Sequence, residues 1–552
     1  MDTPEENRAP LFSVRQLSVA LPAGMDRRYA VENLSFDLWP GEILCIIGES
    51  GSGKSVTAHA AMGLLPKALR VASGEIRLRG ADLLQQTPEQ LRSLQGKTLA
   101  IIFQDPLSAL NPLMTIGEQI NEAMLAHKIG DARSRREKVL ALLQEVGLPE
   151  PDKIQHQYPF RLSGGQRQRV MIAMALALDP DVLIADEPTT ALDVTTQAQI
   201  LTLIRALQQR KNMSVMFITH DFGVVEEIAN RVIVMEKGHC VEAGPAQQVL
   251  RAPQHPYSQK LIAAVPRMQR QAKPVAAAAP QVLQVKQLCK TYRAEGGWLS
   301  RAREVRALNN ISFTLNKGET LGIVGESGSG KSSLGRVLLK LLPADSGEIL
   351  FDGRDILPMR ENEFRPLRRW IQMIFQDPFA SLNPRHTIGT ILSAGPLALG
   401  GMSESEVRRK AQQLLQLVGL EASAWSRYPH EFSGGQRQRI GIARALMFDP
   451  VLLVADESVS ALDVSIQAQV LALLRQIQQQ TQVAMIFITH DLRVASEICD
   501  RVAVLWRGEI VEQGTPQAVF QQPRHAYTAQ LVQAIPGAPE PQRPPLRVVG
   551  ET

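Results

Sequence analysis

Alternation of apolar and polar residues opens each half of this chain. The segment 11–21, LFSVRQLSVAL, and the segment 282–292, VLQVKQLCKTY, alternate over most of their length. Such alternation is typical of a β-strand with one buried face. We therefore predict that each half begins with its own strand and builds its own sheet.

Continuous apolar runs follow, and they predict a different kind of strand. EILCIIG at 42–48 stops at a glycine and precedes KSVTAHAAMGLL, which has helical composition, while DVLIADE at 181–187 is a second apolar run. Short apolar runs of this kind are typical of buried strands in parallel α/β sheets. From Thr115 to Tyr158 the apolar residues, among them Val139, Leu142 and Leu143, have helical spacing, which predicts a helical subdomain with a counterpart at 387–428.

The sequence contains an internal repeat. Six segments recur in the same order: GESGSGKS at 48–55 and 325–332, IIFQDPLSALNP at 101–112 and MIFQDPFASLNP at 373–384, LSGGQRQRV at 162–170 and FSGGQRQRI at 432–440, ADEPTTALDV at 185–194 and ADESVSALDV at 455–464, FITHD at 217–221 and 487–491, and HPYSQKLIAAVP at 255–266 and HAYTAQLVQAIP at 525–536. Repeats on this scale indicate two copies of one domain.

A segment rich in Ala, Pro and Gln separates the copies. RMQRQAKPVAAAAPQ at 267–281 offers little to bury and is typical of a linker. We therefore predict one domain at 1–266, a linker at 267–281 and a second domain at 282–552. Because the linker spans at most about 50 Å when extended, the two domains stay close enough to touch.

Charge and cysteine content exclude several classes of protein. Of 552 residues, 60 are Lys or Arg and 55 are Asp or Glu, a net charge of +5 with no basic block, so nucleic acid is not an expected partner. Cys45, Cys240, Cys289 and Cys499 are scattered singly, which predicts neither a disulfide framework nor a metal site. The acidic start lacks the features of a secretory signal and no apolar run is long enough to span a membrane, so we expect a cytoplasmic chain.

Each GESGSGKS segment fits the pattern G-x-x-x-x-G-K-[ST]. Glycines allow backbone N–H groups to surround phosphate oxygens, the lysine reaches the terminal phosphates, and the serine hydroxyl ligates Mg²⁺. A glycine turn before a helix is the structural alternative, but two copies in matched contexts argue against it. The predicted nucleotide-binding residues are Gly48, Gly51, Gly53, Lys54 and Ser55, with Gly325, Gly328, Gly330, Lys331 and Ser332.

A pair of acidic residues ends the second apolar run in each half. Asp186 and Asp456 come at the end of a strand, where a ligand for Mg²⁺ is needed. Glu187 and Glu457 follow them and are placed to polarise an attacking water as general bases. The structural alternative is an acidic pair that caps a following helix.

The SGGQ segments predict a second anion site in each half. Ser163, Gly164 and Gly165, like Ser433, Gly434 and Gly435, would present a hydroxyl and backbone amides at a helix N-terminus. If the halves pack head to tail, each of these sites closes over the phosphates held by the other half. Two ATP molecules would then join the halves into a pseudo-dimer within one chain.

With these motifs together, the chain resembles the nucleotide-binding ATPases of ABC transporters over nearly its whole length. The resemblance implies an α/β fold with two tandem P-loop ABC nucleotide-binding domains, each a RecA-like core with an N-terminal antiparallel β region and a helical subdomain. It also implies that Gln104 and Gln376 are the glutamines that sense Mg²⁺ and water, and that Asp193 and Asp463 are the D-loop aspartates.

The same resemblance assigns His220 and His490 as switch histidines near the γ-phosphate, although a lone histidine is more often a satisfied core residue. The family stacks adenine on an aromatic residue ahead of the glycine loop. Tyr292 is the candidate in the second half, where an insert with Trp298 separates it from the loop. The first half offers SVALPAG, without an aromatic residue, and Tyr29 lies further on.

Within that family the chain resembles the ATPase subunits of the peptide and nickel importer group, whose fused versions include glutathione-, peptide- and peptide-antibiotic-uptake subunits. The resemblance rests on GESGSGKS, LNP and the His-x-Tyr tails. It implies ATP and Mg²⁺ as cofactors, two transmembrane permease subunits and, indirectly, an extracytoplasmic solute-binding protein as partners, and a peripheral place on the cytoplasmic face of the bacterial inner membrane.

Three alternatives stay open. The tails are also compatible with a final helix that merely closes each domain. The imported solute is a peptide-like compound in our interpretation, but nickel or a metal chelate suits the same group. A soluble tandem ATPase that acts on ribosomes is the competing class, although such chains carry a long charged linker rather than one of Ala and Pro.

Overall fold

The computed structural model describes residues 9–190, 192–266, 268, 279–294, 303–460 and 462–536. Two units divide the chain, with the main boundary between Val265 and Pro266. The limits 1–266, 267–281 and 282–552 remain a prediction, because most of the expected linker, like the insert with Trp298, lies outside the described residues. No helix within these described ranges is long and apolar enough to cross a membrane.

The described strands of the first half form two sheets. One is antiparallel, in the order β2-β1-β4-β5, and the other has the order β10-β9-β3-β8-β7-β6, in which only β10 is antiparallel to its neighbour. The strands are β1 (Phe12–Ala20), β2 (Tyr29–Leu38), β3 (Ile43–Ile47), β4 (Arg70–Leu78), β5 (Ala81–Asp82), β6 (Leu99–Ile102), β7 (Val182–Asp186), β8 (Ser214–Ile218), β9 (Arg231–Glu236) and β10 (His239–Pro245).

Helices cover the sheets and form the predicted subdomain. The first-half helices are α1 (Lys54–Ala61), α2 (Pro88–Leu94), α3 (Pro106–Ala109), α4 (Ile116–Ala126), α5 (Ala132–Glu145), α6 (Pro151–Ile154), α7 (Gly164–Ala175), α8 (Val194–Lys211), α9 (Phe222–Ile228), α10 (Ala246–Arg251) and α11 (Pro256–Ala263). The region 115–158 holds α4, α5 and α6, and Val139, Leu142 and Leu143 are buried as their spacing predicts. Thr115 begins this region as the N-cap of α4, with a capping box to Glu118.

The second half repeats this topology strand for strand, with sheets in the orders β12-β11-β14-β15 and β16-β17-β18-β13-β19-β20. Its strands are β11 (Gln281–Ala294), β12 (Arg303–Asn316), β13 (Thr320–Val324), β14 (Ser346–Phe351), β15 (Arg354–Asp355), β16 (Ile371–Ile374), β17 (Leu452–Asp456), β18 (Ala484–Thr489), β19 (Arg501–Trp506) and β20 (Glu509–Gly514). Its helices are α12 (Lys331–Leu338), α13 (Glu361–Phe364), α14 (Pro378–Ser381), α15 (Ile388–Leu399), α16 (Glu404–Leu417), α17 (Gly434–Leu446), α18 (Val464–Thr481), α19 (Leu492–Ile498), α20 (Pro516–Gln521) and α21 (Ala526–Gln533).

Burial of the central strands explains where the site forms. Every residue of β3, β7 and β8 is buried, which accounts for their continuous apolar sequences. These three parallel strands are neighbours, so their carboxyl ends meet at one edge of the sheet. Open α/β sheets bind ligands at that edge, and the glycine loop, Glu187 and His220 all follow there.

Candidate functional site

The glycine loop joins β3 to α1 and takes a backbone path that needs glycine at its end. Gly53 has a φ of 102°, and a Cβ on it would lie 2.6 Å from the carbonyl oxygen of Ala30. The second half repeats this at Gly330, with a φ of 111° and a distance of 2.2 Å to the carbonyl oxygen of Ala307. In both halves the loop therefore passes against β2 or its equivalent so closely that no side chain fits.

The lysine of each loop is buried and fastened to the start of its own loop. Lys54 Nζ donates to the carbonyl oxygens of Gly48 at 2.8 Å and Glu49 at 2.9 Å. Lys331 Nζ makes the same two bonds at 2.8 Å and 2.7 Å. This arrangement keeps an ammonium group beside the loop amides, as a phosphate cradle requires. Ser52 Oγ, inside the first loop, is buried without a hydrogen-bond partner among the described residues, as is the hydroxyl of Ser329 in the second.

A hydroxyl and a carboxylate lie together beside each loop. Ser55 Oγ donates to Asp186 Oδ1 at 2.9 Å, and Ser332 Oγ donates to Asp456 Oδ1 at 3.3 Å. Burial raises the pKa of both aspartates, and the neighbouring glutamate charge adds to this. No group of three or more His, Cys, Asp and Glu side chains in the described ranges is arranged to hold a metal ion. Mg²⁺ is usually bound through one or two carboxylates together with substrate phosphates, and these oxygen pairs fit that chemistry.

The glutamate after each aspartate has an unusual backbone. Glu187 has a φ of 47° and Glu457 a φ of 42°, in the left-handed region that non-glycine residues rarely occupy. A backbone bond holds each turn, from Glu187 N to the carbonyl oxygen of Ile218 and from Glu457 N to that of Ile488, both at 2.9 Å. This turn brings the glutamate toward the end of the neighbouring strand, where the histidine lies. Strain of this kind clusters at functional sites.

Three side chains converge on one oxygen of Glu187. Its Oε2 accepts from Gln104 Nε2 at 2.9 Å and Thr190 Oγ1 at 2.8 Å, and it lies 3.3 Å from His220 Nδ1. Burial opposes ionisation of this carboxyl, but the bonds from His220 and Thr190 and the charges of His220 and Lys54 outweigh it and lower the pKa to about 2. Glu187 is therefore a carboxylate at neutral pH and is fixed in orientation.

Glu457 has the same glutamine and histidine but a different third neighbour. Gln376 Nε2 donates to Oε2 at 2.8 Å, and His490 Nδ1 lies 3.5 Å from Oε1. Ser460, at the position of Thr190, donates instead to the backbone carbonyl oxygen of Glu457 at 3.0 Å. Burial again opposes ionisation, but His490 and Lys331 lower the pKa of Glu457. The structure thus places both predicted histidines against the glutamates.

The SGGQ serines and the D-loop aspartates lie at helix N-termini. Ser163 and Ser433 are the N-caps of α7 and α17, and each accepts from the backbone N–H three residues on. Asp193 caps α8 in the same way, whereas the Asp463 side chain makes no cap bond to α18. Gly165 and Gly435 also have a packing role, because a Cβ would lie 2.5 Å from Thr196 and 2.4 Å from Ile466.

The residues predicted to contact adenine differ between the two halves. Tyr292, on β11, has its hydroxyl 3.2 Å from Ser333 Oγ, two residues after Lys331 of the glycine loop. In the first half Tyr29 begins β2, and the Arg28 guanidinium lies 5.1 Å from the centre of its ring. Tyr292 stays the predicted adenine contact of the second half, whereas the matching stretch of the first half, SVALPAG, has no aromatic residue.

The sequence motifs did not predict two kinds of contact at the site. Thr190 lies inside a recognised segment, but its bond to Glu187 depends on the turn at that glutamate. Tyr257 and Tyr527 belong to the His-x-Tyr tails, and their hydroxyls accept from the backbone N–H groups of Glu49 and Glu326 in the glycine loops. The parallel tails were the available signal, yet nothing local in them indicates a contact with a loop about 200 residues earlier.

Together, a phosphate cradle, an oxygen pair suited to Mg²⁺ and an ionised glutamate held by a histidine define a P-loop nucleoside triphosphatase in each half. Comparison with known proteins gives the family. The ABC transporter family model matches residues 31–190 and 308–460, and the model for the oligopeptide/dipeptide transporter C-terminal region matches 241–293 and 511–551. The chain belongs to the ABC transporter family, as an ATP-hydrolysing subunit with two tandem ABC domains.

Similar proteins cover almost the whole chain. The glutathione import ATP-binding protein GsiA of Escherichia coli (strain K12) is 46% identical over 575 residues, which include 98% of this chain and 92% of that protein. The protein of the same name from Shigella dysenteriae serotype 1 is 47% identical over 573 residues, with the same coverage. A solved dimeric structure of the ATP-binding cassette MJ0796 bound to ADP and Pi is 29% identical, covers 42% of this chain and 98% of that one, and has a TM-score of 0.39.

Proposed function

We propose that this chain powers an importer for glutathione or another short peptide and lies on the cytoplasmic face of the bacterial inner membrane. One observation carries the proposal: glutathione import ATP-binding proteins are 46% identical to it over 98% of its length. The two matches to the oligopeptide/dipeptide transporter C-terminal region, at 241–293 and 511–551, support the same solute class. The relatives named above are glutathione import proteins, which favours glutathione or a peptide over nickel or a metal chelate.

Hydrolysis is proposed to occur at two sites, each completed by the other half. The first site combines Lys54, Asp186 and Glu187 with Ser433 and Gly435. The second site combines Lys331, Asp456 and Glu457 with Ser163 and Gly165. Because each site has a complete phosphate cradle and an ionised glutamate, we expect both sites to hydrolyse ATP.

The proposed step is attack of water on the γ-phosphorus of ATP. The bond from that phosphorus to the oxygen bridging the β-phosphate breaks, which yields ADP and inorganic phosphate. Glu187 or Glu457 orients the water and accepts its proton, while the histidine holds the carboxylate in place. Mg²⁺, when bound, would be held by Ser55 and Asp186, or their equivalents, and would neutralise phosphate charge.

Coupling to the membrane is proposed to use the surface that follows Gln104 in the first half and Gln376 in the second. In the first half this surface exposes Leu107 at 59% and Leu113 at 85%. The matching positions in the second half are Phe379, exposed at 61%, and the exposed Arg385. Exposed apolar side chains of this size mark interaction sites. Because the two surfaces differ in shape and charge, they suit two non-identical permease subunits.

The tether between the halves makes their closure intramolecular. Covalently linked domains meet at roughly millimolar effective concentration, so we expect one chain to supply both halves of the ATPase. An ATP-loaded Glu187→Gln, Glu457→Gln chain should remain a single chain by light scattering. A two-chain dimer under those conditions contradicts this part of the proposal.

The test of the proposed function is to purify the chain with its co-expressed permeases and the extracytoplasmic binding protein that accompanies them. That binding protein is titrated with glutathione, dipeptides, longer peptides and Ni²⁺, and uptake of the tightest ligand into vesicles is then measured with and without ATP. ATP-dependent inward movement of glutathione or a peptide supports the proposal. Tight binding of Ni²⁺ alone, outward transport, or co-sedimentation of the chain with ribosomes instead of membranes overturns it.

A further inference from the structure

The His-x-Tyr tails have no part in the chemistry described so far, yet each touches a glycine loop. We propose that Tyr257 and Tyr527 are positioning residues that hold the glycine loops in the shape that binds ATP. The inference rests on the proposed role of those loops as phosphate cradles and is independent of which solute is imported.

The contact reaches the second residue of each GESGSGKS segment. Tyr257 Oη accepts from Glu49 N at 3.2 Å, and Tyr527 Oη accepts from Glu326 N at 3.0 Å. The carbonyl oxygen of Glu49 accepts from Lys54 Nζ at 2.9 Å. The tyrosine and the loop lysine therefore fix opposite sides of one residue, so that movement of Glu49 would also displace the ammonium group that meets phosphate.

The tyrosine itself lies in a short segment that is hydrogen-bonded to β10. Glu242 on β10 accepts from the backbone N–H groups of Gln254 at 2.8 Å and His255 at 3.1 Å. His255 Nδ1 in turn accepts from Tyr257 N at 3.2 Å, as the N-cap of α11. This chain of bonds connects the edge strand of the large sheet to the glycine loop, so the hydroxyl is presented at a fixed place.

The second half builds the same connection with different neighbours. Glu512 accepts from Arg524 N at 3.0 Å and His525 N at 3.1 Å, and His525 Nδ1 accepts from Tyr527 N at 3.2 Å. Here Trp506 also stacks on the tyrosine, with ring centres 5.4 Å apart. The tyrosine-to-loop bond is common to both halves although the residues around it differ. A helix that merely closed each domain would not need a hydroxyl aimed at the glycine loop.

The test removes the hydroxyl and keeps the ring. Tyr257→Phe should weaken ATP binding at the first site about threefold to tenfold, the change expected for the loss of one hydrogen bond. Binding is measured without Mg²⁺, in a chain whose second site is disabled by Lys331→Ala. The maximal hydrolysis rate of the otherwise unmodified complex at saturating ATP should stay within about twofold, because the bond is made to the backbone of Glu49 and not to the Glu187 carboxylate.

Hydrogen exchange supplies the readout that a general loss of stability would not give. In Tyr257→Phe, backbone amides of 48–55 should exchange faster while those of 325–332 stay unchanged, and Tyr527→Phe should give the reverse. The flanking strands differ in sequence, so peptides from the two identical loops can be told apart. Each variant is thus the matched control of the other.

The outcomes separate this inference from the assignment of the loops. If ATP fails to protect 48–55 in the unmodified chain, the cradle role is wrong and this inference falls with it. If ATP protects the loop but Tyr257→Phe alters neither exchange nor affinity, the positioning role alone is overturned. Faster exchange in both loops, or a fall in maximal rate with unchanged affinity, also overturns it.

Discussion

Glu187 and Glu457, which face the proposed ATP sites, have the same backbone conformation but differ in one neighbouring side chain. Both residues have a left-handed φ, and both are met by a glutamine and a histidine. Thr190 adds a bond to the Glu187 carboxylate, whereas Ser460 bonds to the backbone oxygen of Glu457. The Thr side chain has a β-methyl group that restricts its rotamers, and Ser lacks it. The shared features are those expected of a general base, and the difference predicts that the two sites respond differently to substitution.

The shared glutamates should give the largest effect. Glu187→Gln and Glu457→Gln should each reduce hydrolysis at the substituted site about a hundredfold or more, because the general base is lost while size and hydrogen bonding are largely kept. Steady-state turnover of the assembled complex is measured for each variant; loss of either site should lower the total by about half if the sites act independently, and by more if they are coupled. If one substitution leaves turnover within about twofold and the other abolishes it, the two sites are not both working.

Replacing the last glycine of the loop should destabilise both halves to a similar extent. Gly53→Ala and Gly330→Ala introduce a Cβ at 2.6 Å and 2.2 Å from a carbonyl oxygen as well as an unfavourable φ. We expect each to lower the free energy of unfolding by about 2 kcal/mol or more, measured by thermal melting without nucleotide.

The matched controls for that prediction are Gly51→Ala and Gly328→Ala. These glycines also have positive φ, but a Cβ on either meets nothing within 4 Å. They should cost only the backbone strain, about 1 kcal/mol. Equal losses for the two pairs would show that the close approach to Ala30 and Ala307 does not shape the loop.

Substitution of the neighbour that differs, Thr190 or Ser460, should have a smaller effect on hydrolysis, and the effect should differ between the two sites. Thr190→Val removes a hydroxyl bonded to the Glu187 carboxylate, so it should raise the pKa of Glu187 and lower hydrolysis at the first site about threefold to tenfold, measured in a chain whose second site carries Glu457→Gln. Ser460→Ala removes a bond to a backbone oxygen and should change hydrolysis at the second site less than about twofold, measured in a chain whose first site carries Glu187→Gln. A loss for Ser460→Ala as large as that for Thr190→Val would remove the distinction between the sites.

The smallest predicted effect concerns how the stabilisation that His490 gives the second half changes with pH. Burial favours neutral His490, but its bond to Glu457 and the charges of Glu457 and Asp491 outweigh burial and the repulsion from Lys331, and raise its pKa above 6.5. Since the folded pKa is raised, this stabilisation is fully present below pH 6.5 and is lost as pH rises through the folded pKa. The difference in melting temperature between the unmodified chain and His490→Gln should therefore shrink as pH rises through the folded pKa of His490. A difference that grows with pH contradicts the assigned contact.

The sequence predicted the framework of each site closely, for a physical reason. Apolar runs such as 42–48 and 181–187 had to be buried strands, and they are β3 (Ile43–Ile47) and β7 (Val182–Asp186). Helical spacing placed the subdomain helices in the same way. Because the motifs stand at the ends of these strands, their gathering at one sheet edge followed from parallel topology.

The unpredicted part consists of contacts that depend on three-dimensional detail. The left-handed turn at Glu187 occurs together with a backbone bond to Ile218, a distant contact that no local pattern reveals. The Ser460 side chain could not be distinguished from that of Thr190 by motif, since both positions carry a hydroxyl. Tyr257 reaches Glu49 only after the sheet has brought residues about 200 positions apart together.

The most direct test of the central claim, that both halves bind and hydrolyse ATP, is nucleotide trapping resolved by half. The complex turns over radiolabelled 8-azido-ATP in the presence of vanadate, is irradiated, and is cut at a protease site introduced in segment 267–281. The account predicts label in both fragments, lost from the first with Lys54→Ala and from the second with Lys331→Ala. Label confined to one fragment of the unmodified chain would contradict it.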